Sequence, residues 1–179
     1  MTPDRADILV MQAMVDTMVG IPKFSYPARQ REAEKPASEF AHIRVIEEYQ
    51  IGVPTQTILS QDELTTTFRT YSAVRLRYRI GVVDTTGLPS SKIMHGWTSE
   101  AMKAQMISSG YGFERCTALS SEDAKLEKEW EYRKGFSVDM NTTRVFDETV
   151  DSITQFVVGG SFYDGKLVEH LINFEINQT

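Results

Sequence analysis

Residues 65–83 read TTTFRTYSAVRLRYRIGVV, and this stretch decides the fold. Its even positions are mostly apolar, whereas three successive odd positions are Arg75, Arg77 and Arg79. Alternation with a period of two over this length predicts a β-strand with one buried and one exposed face. The predicted strand is about three times the usual length, so we expect it to bend, to bulge or to extend beyond the body of the domain.

A second long strand is predicted from Ala124 to Val145, again from alternation with a period of two. Its even positions include Trp130, Tyr132 and Phe136, which fit a strand better than a helix. Shorter strands are predicted at 40–49, 55–60 and 113–118, with further strands in the C-terminal tail.

Two segments have helical periodicity instead. The first is capped by Thr2 and ends at Gly20. The second is predicted to begin at a cap, Ser90 or Ser91, and to end at Gly110. The face that we expect to lie across the sheet consists of Ile93, Trp97, Ala101, Ala104 and Ile107. The sequence therefore predicts an α+β fold, a mixed, mainly antiparallel sheet packed by an N-terminal helix and one central helix.

We expect the 179 residues to form one domain with two appendages. Segment 22–39 has three prolines and a charged cluster that includes Arg29 and Arg31, but no helical or strand period. It is predicted to be an extended arm that reaches a neighbouring subunit, and a mobile loop is the alternative. The C-terminal segment at about 152–176 contains Asp164-Gly165, a tight-turn signal between apolar runs, so a strand hairpin is predicted there.

The composition is that of an ordinary globular protein, with 41% hydrophobic and 25% charged residues. No apolar run approaches the roughly 20 residues of a membrane-spanning helix, and the N-terminus lacks the layout of a secretory signal. We therefore expect a soluble protein of cytosolic origin with no membrane partner. The net charge of −6 and the pI near 5.1 disfavour a dedicated nucleic-acid binder, because phosphate binding requires a concentrated basic surface.

Residues with catalytic or metal-binding chemistry are few and scattered. Cys116 is the only cysteine, and its setting favours a small buried hydrophobe over a nucleophile. His42, His95 and His170 have no second ligand at metal spacing, which favours structural roles. Gly159-Gly160-Ser161 is not followed by the lysine of a phosphate-binding loop. We therefore expect no catalytic residue, no cofactor, no metal site and no enzymatic activity.

The two long strands carry rows of opposite charge at the same two-residue spacing. The arginine row consists of Arg75, Arg77 and Arg79, and the glutamate row consists of Glu127, Glu129 and Glu131. If the strands pair within the chain or between subunits, the rows can form a ladder. Each exposed pair would contribute only about 0.2–1 kcal/mol, so the ladder would set the register more than the affinity. Two alternatives stay open, namely that both rows face water on one monomer, or that the arginine row contacts DNA phosphates. The two rows, together with Arg29 and Arg31, are the predicted subunit or partner interface.

Four stretches, with the order of the predicted elements, resemble a known family. The stretches are 30–36 (QREAEKP) leading into 40–45 (FAHIRV), the alternating strand 71–83, the helix end 108–112 (SSGYG), and 119–136. The order is a starting helix, a proline-marked arm, strands, one helix across the sheet, and strands again. Over roughly residues 5–145 the chain is similar to the tail-terminator or tail-completion proteins in the neck of tailed bacteriophages.

This resemblance implies a structural virion protein whose copies, six in such families, close into a ring. The ring would cap the head-proximal end of the tail tube, stop its polymerisation and join the tail to the head. The implied partners are further copies of the chain, the tail tube protein and the head–tail connector or neck protein, with the sheath protein as a further candidate. DNA would pass through the lumen without sequence-specific binding. The implied location is the tail or neck of the virion, and the host cytoplasm during assembly.

The residues themselves are compatible with this expectation, because long strands and an arm are suited to pairing between subunits. A head-to-tail interface among identical chains closes a ring when its rotation closes. The nearest alternative is another tail tube or baseplate-proximal structural protein. The alternative from a different class is a cytosolic α+β protein-binding module.

Overall fold

A computed structural model describes the backbone of residues 3–28, 39–62, 65–121, 124–126, 129–151, 155–163 and 169–177. Side chains are described for residues 5–28, 39–62, 65–121 and 132–151. The helices are α1 (Pro3–Val19), α2 (Leu88–His95) and α3 (Glu100–Ser109), with a 3-10 turn at Gly96–Thr98. The strands are β1 (Ser25–Pro27), β2 (Phe40–Gln50), β3 (Thr55–Gln61), β4 (Thr65–Val83), β5 (Tyr111–Cys116), β6 (Ser120–Ser121), β7 (Ala124–Leu126), β8 (Glu129–Glu131), β9 (Arg133–Asp151), β10 (Gln155–Tyr163) and β11 (Glu169–Asn177).

Seven of the described strands form one sheet. Its main path is β1-β2-β4-β9-β5, while β3 pairs with β4, and β6 pairs with β9. β1 runs parallel to β2, whereas β2 and β3 run antiparallel to β4, and β5 and β6 antiparallel to β9. Two further antiparallel pairs, β7–β8 and β10–β11, each form a separate two-stranded sheet. The predicted α+β class with a mixed, mainly antiparallel sheet is confirmed.

The chain divides into two compact units. The first unit consists of Met1–Val53 and Ser72–Arg144, and the second unit consists of Pro54–Tyr71 and Val145–Thr179. The long strands β4 and β9 therefore each contribute residues to both units.

The hydrophobic core lies in the first unit, between one face of the sheet and the three helices. Every even position of β4 from Ser72 to Val82 is buried, as the alternation predicted. The largest fully buried side chains that meet there are Trp97, Tyr78, Phe136, Met11, Met14, Ile43, Leu76, Ile80, Ile93, Met102 and Met140.

The first helix ends as its sequence predicts. Gly20 follows Val19 with φ +80°, a left-handed conformation that glycine adopts without the penalty of a Cβ atom. Its backbone N–H donates a 2.8 Å hydrogen bond to the carbonyl of Asp16, which satisfies one of the last carbonyls of the helix.

The central helix was predicted as one piece, but it consists of α2 and α3 separated by the turn at Gly96–Thr98. Ser99 starts α3 anew, because its side chain accepts a hydrogen bond from the N–H of Met102. This restart rotates the buried face. Met102 and Met106 are buried, whereas Ile107, which was predicted to face the sheet, is 80% exposed.

The predicted cap of this helical region was also wrong. α2 begins at Leu88, two residues before Ser90, so neither Ser90 nor Ser91 caps it. The carboxylate of Asp84 accepts hydrogen bonds from the N–H groups of Gly87 and Ser90 instead. Asp84 thus satisfies free donors at the start of α2 from outside the helix.

The second long strand lies further along the chain than predicted. β9 starts at Arg133 rather than Ala124 and continues to Asp151. The residues before it fold back as the antiparallel pair β7–β8. Alternation with a period of two continues through β7 and β8, so it does not reveal that these two strands pair with each other.

The described parts of the two predicted appendages include strands. Ser25–Pro27, at the start of the segment predicted as an arm, forms β1, and residues 29–38 lie outside the described part of the chain. Near the C-terminus, β10 and β11 pair antiparallel from Gln155↔Asn177 to Tyr163↔Glu169. Gly159-Gly160 lies inside β10.

Candidate functional site

The arginine row lies on the face of β4 opposite to the core, where all three side chains are partly exposed. The register of β2 shifts between Val45 and Glu47, which turns Glu47 toward the arginine row and places it opposite Arg77. A second register shift in β5, between Phe113 and Arg115, places Arg115 opposite Asp139. The first shift gives the arginine row an acidic partner, and the second gives Asp139 a second guanidinium group.

Asp139 is the centre of the charged face. Its side chain is 2% exposed and accepts hydrogen bonds from Nε and Nη2 of Arg77, at 2.7 and 3.2 Å. Nε of Arg115 donates to the same carboxylate at 2.7 Å. These bonds, first those of Arg77, hold the pKa of Asp139 below its ordinary value although burial opposes the charge. Arg77 also donates to Glu47 at 2.7 Å, which links β2, β4 and β9.

The other two arginines of the row have different partners. Arg75 donates to the hydroxyl of Tyr49 at 2.6 Å, and its guanidinium carbon lies 5.2 Å from the centre of that ring. It also forms an ion pair with Glu114. Arg79 donates to the hydroxyl of Ser120 at 3.4 Å. The row is thus bound into the charged face of its own chain.

The predicted ladder between the two rows stays a prediction. Glu129 and Glu131 lie in β8, which pairs with β7, and their side chains are outside the described set. Glu127, Arg29 and Arg31 lie outside the described residues altogether.

Sequence reasoning missed the acidic partners Asp139, Glu47 and Glu114. Asp139 carried a signal, since it occupies an odd position of the second predicted strand, on the face opposite to Phe136 and Val138. Glu47 and Glu114 reach the arginine row through irregular pairing, which leaves no trace in the alternation.

A second network in the first unit joins the start of α1 to the sheet. Asp7 is fully buried, and its carboxylate accepts two hydrogen bonds from Arg144, at 3.0 and 2.6 Å. The hydroxyl of Tyr111 donates to Asp7 as well, and burial, followed by this bond, raises the pKa of Tyr111. Arg144 also binds Glu48 at 3.1 Å. The network is a bidentate ion pair, which fixes position as well as charge.

The second unit contains a piece of sheet that is open to solvent. All seven residues of β3 and all seven residues of Val145–Asp151 are exposed. Arg69 forms a bidentate pair with Asp147 at 2.7 Å, and the hydroxyls of Thr67 and Thr149 are 3.0 Å apart, so the strands run antiparallel here. Exposed apolar side chains occur on this piece, with Ile58 at 60% and Phe146 at 58%. Burial of these side chains against another chain would remove apolar surface from water, which is favourable.

The first unit contains a groove between α1 and the β1–β2 edge of the sheet, with a volume of about 830 Å³. Ile8 and Leu9 line it from the helix, and Ile43 and Val45 line it from β2. Arg5, Lys23 and Arg44 stand on its rim, where their side chains form no ion pair with any described residue.

Formal charge is divided unequally between the units. The second unit has eight Asp or Glu against two Lys or Arg, so the whole net charge of −6 belongs to it. In the first unit, seventeen acidic and seventeen basic residues balance.

The described side chains contain no group of three or more His, Cys, Asp or Glu that could hold a metal ion. Burial raises the pKa of the Cys116 thiol to about 11, so at neutral pH it is protonated and a poor nucleophile. None of the helices in the described ranges is long and apolar enough to cross a bilayer.

These features define a class of protein, an α+β sheet protein with a charged sheet face and exposed apolar side chains. The chain belongs to the phage neck terminator protein family, whose sequence model matches residues 9–166. This confirms the resemblance to the tail terminators. No curated protein matches the chain. Membership indicates a structural role in the tail or neck of the virion, in contact with other tail or head proteins.

Proposed function

We propose that copies of this chain close into a ring, six in number, on the head-proximal end of the tail tube. The ring stops polymerisation of the tube protein and presents its other face to the head connector. The observation that carries the proposal is membership in the neck terminator family over residues 9–166.

Features of both units support a protein that works in an assembly. The second unit exposes apolar residues on strands that bury neither face, and burial of such residues against a partner is favourable. The ion pairs of Asp139 and Asp7 hold the sheet of the first unit in a single register, which suits a protein that must match a fixed geometry.

A phage that lacks the protein provides the test. We expect tails of excess and variable length that do not join heads, and restoration of both properties when the protein is supplied. Electron microscopy measures tail length and the fraction of joined particles. Normal tails joined to heads in its absence would overturn the proposal.

Native mass spectrometry of the purified chain tests the ring separately. We expect a closed species of six times the 20.3 kDa chain mass, alone or on isolated tails. Open-ended tubes of the purified chain would instead indicate a tube protein.

A further inference from the structure

The strand β3, Thr55–Gln61, has the composition that edge strands usually avoid. Its sequence, TQTILSQ, contains no charge, no proline and no glycine, and every residue is exposed. Among the described residues it pairs only with β4, so its second edge has no described strand beside it. Natural proteins protect such edges with charge, proline or a covering element, because an open neutral edge recruits another strand. The structure therefore points to a partner strand for β3.

The groove beside α1 has the complementary feature, because the edge of β2 that faces it is only partly paired with β1. The N–H of Ala28 donates to the carbonyl of Ile43, and the N–H of Ala41 donates to the carbonyl of Phe24. The backbone groups of alternate β2 residues thus face β1. Pairing with β1 ends at Ile43, and no described strand continues it beside Val45, which lines the groove. An incoming strand would find backbone partners on one side and apolar side chains of α1 on the other.

The distribution of charge indicates that β3 is a suitable strand for the groove. The groove rim carries three cations, Arg5, Lys23 and Arg44, against one carboxylate, Asp16. That carboxylate already accepts hydrogen bonds from the N–H groups of Lys23 and Ser25 and from the hydroxyl of Ser25. β3 belongs to the unit with net charge −6, and Asp62 and Glu63 follow it directly. Pairing of β3 with β3 of another copy would bring two such acidic units together, which Coulomb repulsion opposes.

We propose that β3 of one copy adds to the β1–β2 edge of a neighbouring copy and places Ile58 in the groove beside α1. This inference rests on the proposed ring and names its subunit contact. The contact joins two different surfaces, so it is head-to-tail, and such contacts generate closed rings when their rotation closes.

Disulfide trapping tests the contact. Leu9, 49% exposed on α1, and Ile58 are both replaced by cysteine in one chain, and the protein is mildly oxidised at high concentration. We expect a ladder of covalent oligomers on a non-reducing gel. An equal mixture of the chains Leu9→Cys and Ile58→Cys should give covalent dimers only, and each single variant alone should give almost none.

A matched control uses Ile107, which is exposed on α3 and lies outside the groove. The pair Ile107→Cys with Ile58→Cys should give only the background seen with the wild-type chain. An equal ladder from this control, or dimers from Ile58→Cys alone, would overturn the inference, the second result because it indicates pairing of β3 with itself.

The outcome is separable from that of the proposed function. If the wild-type chain forms rings or caps tails but no ladder appears, the contact is wrong and the proposed function stands. If the wild-type chain forms no ring and caps no tail, and the chain with both cysteines gives no ladder, both are wrong.

Discussion

A carboxylate that is 2% exposed requires partners for its charge, and Asp139 has two guanidinium groups, those of Arg77 and Arg115. The pair differs from a surface salt bridge, because the acid is buried while its partners retain contact with water. Removal of the acid would leave two arginines facing each other with no charge between them. Through these bonds Asp139 joins β4, β9 and β5 at one point of the charged face.

Acid unfolding should depend on Asp139. Its pKa is lower in the folded chain than in the unfolded chain, so the stabilisation is complete above an unfolded pKa of about 3.9 and is lost as pH falls through the lower folded pKa. Thermal unfolding from pH 7 to pH 3 should show that Asp139→Asn is less stable at pH 7 and that the difference shrinks below about pH 4. A constant difference across this range would contradict the assignment.

Asp7 offers a comparison between a buried and an exposed ion pair. Asp7→Ala leaves Arg144 without its bidentate partner, so the free energy of unfolding should fall by about 3–5 kcal/mol. The matched control is Glu100→Ala, which removes a helix-surface pair with Lys103 and should change stability by less than about 0.5 kcal/mol. Urea denaturation measures both. Similar losses in the two variants would show that burial of Asp7 is not the cause.

Cys116 should react slowly in the folded chain. With the thiol pKa raised to about 11, its thiolate fraction at pH 8 is more than about 100-fold below that of an ordinary cysteine with pKa about 8.5. Alkylation by iodoacetamide should be correspondingly slow and should accelerate in denaturant. Rapid alkylation of the folded protein would contradict the burial of this thiol.

At the scale of elements, the junction after α3 depends on the backbone of one glycine. Gly110 has φ +75° and no atom within 4 Å of an added Cβ, so Gly110→Ala should lose about 1–2 kcal/mol through backbone strain alone. Gly112 provides the control, since an added Cβ would meet only ordinary contact at 4.0 Å and its φ is not positive. Gly112→Ala should leave thermal stability nearly unchanged. Equal effects of both substitutions would contradict the assigned strain.

The elements also show which features were predictable. The bounds of β4 were predictable from residues 65–83, because an amphipathic strand has one apolar face over its whole length. The division between α2 and α3 was not predictable, because the apolar pattern continues through the turn that precedes the new helix start at Ser99. Two contacts of the charged face were not predictable for a similar reason. Two register shifts turn Glu47 and Arg115 toward Arg77 and Asp139, and alternation contains no signal for a shift.

For the whole molecule, the distribution of charge gives a prediction about assembly. In the proposed contact, the acidic second unit of one copy docks on the basic groove rim of the next. The substitutions Glu148→Gln and Asp151→Asn each remove one negative charge from the second unit, so each should weaken self-association by up to about fivefold. Raising NaCl from low to high concentration should weaken the wild-type chain in the same way, because salt screens exposed charges. Sedimentation velocity measures both, with Glu100→Gln as the control in the first unit. Stronger association after neutralisation would show that repulsion between like units dominates.

The sharing of β4 and β9 between the two units has a consequence during synthesis. The ribosome completes β3 and β4 early, but β9, which lies between β4 and β5 in the sheet, begins only at Arg133. At about 5–20 residues per second, nascent chains therefore spend seconds with one edge of β4 unpaired and the sheet unfinished. A chain terminated prematurely before Arg133 would keep β3 without ever completing the sheet. Such fragments are expected to be targets of chaperones and proteases, so that mainly full-length chains are available for assembly.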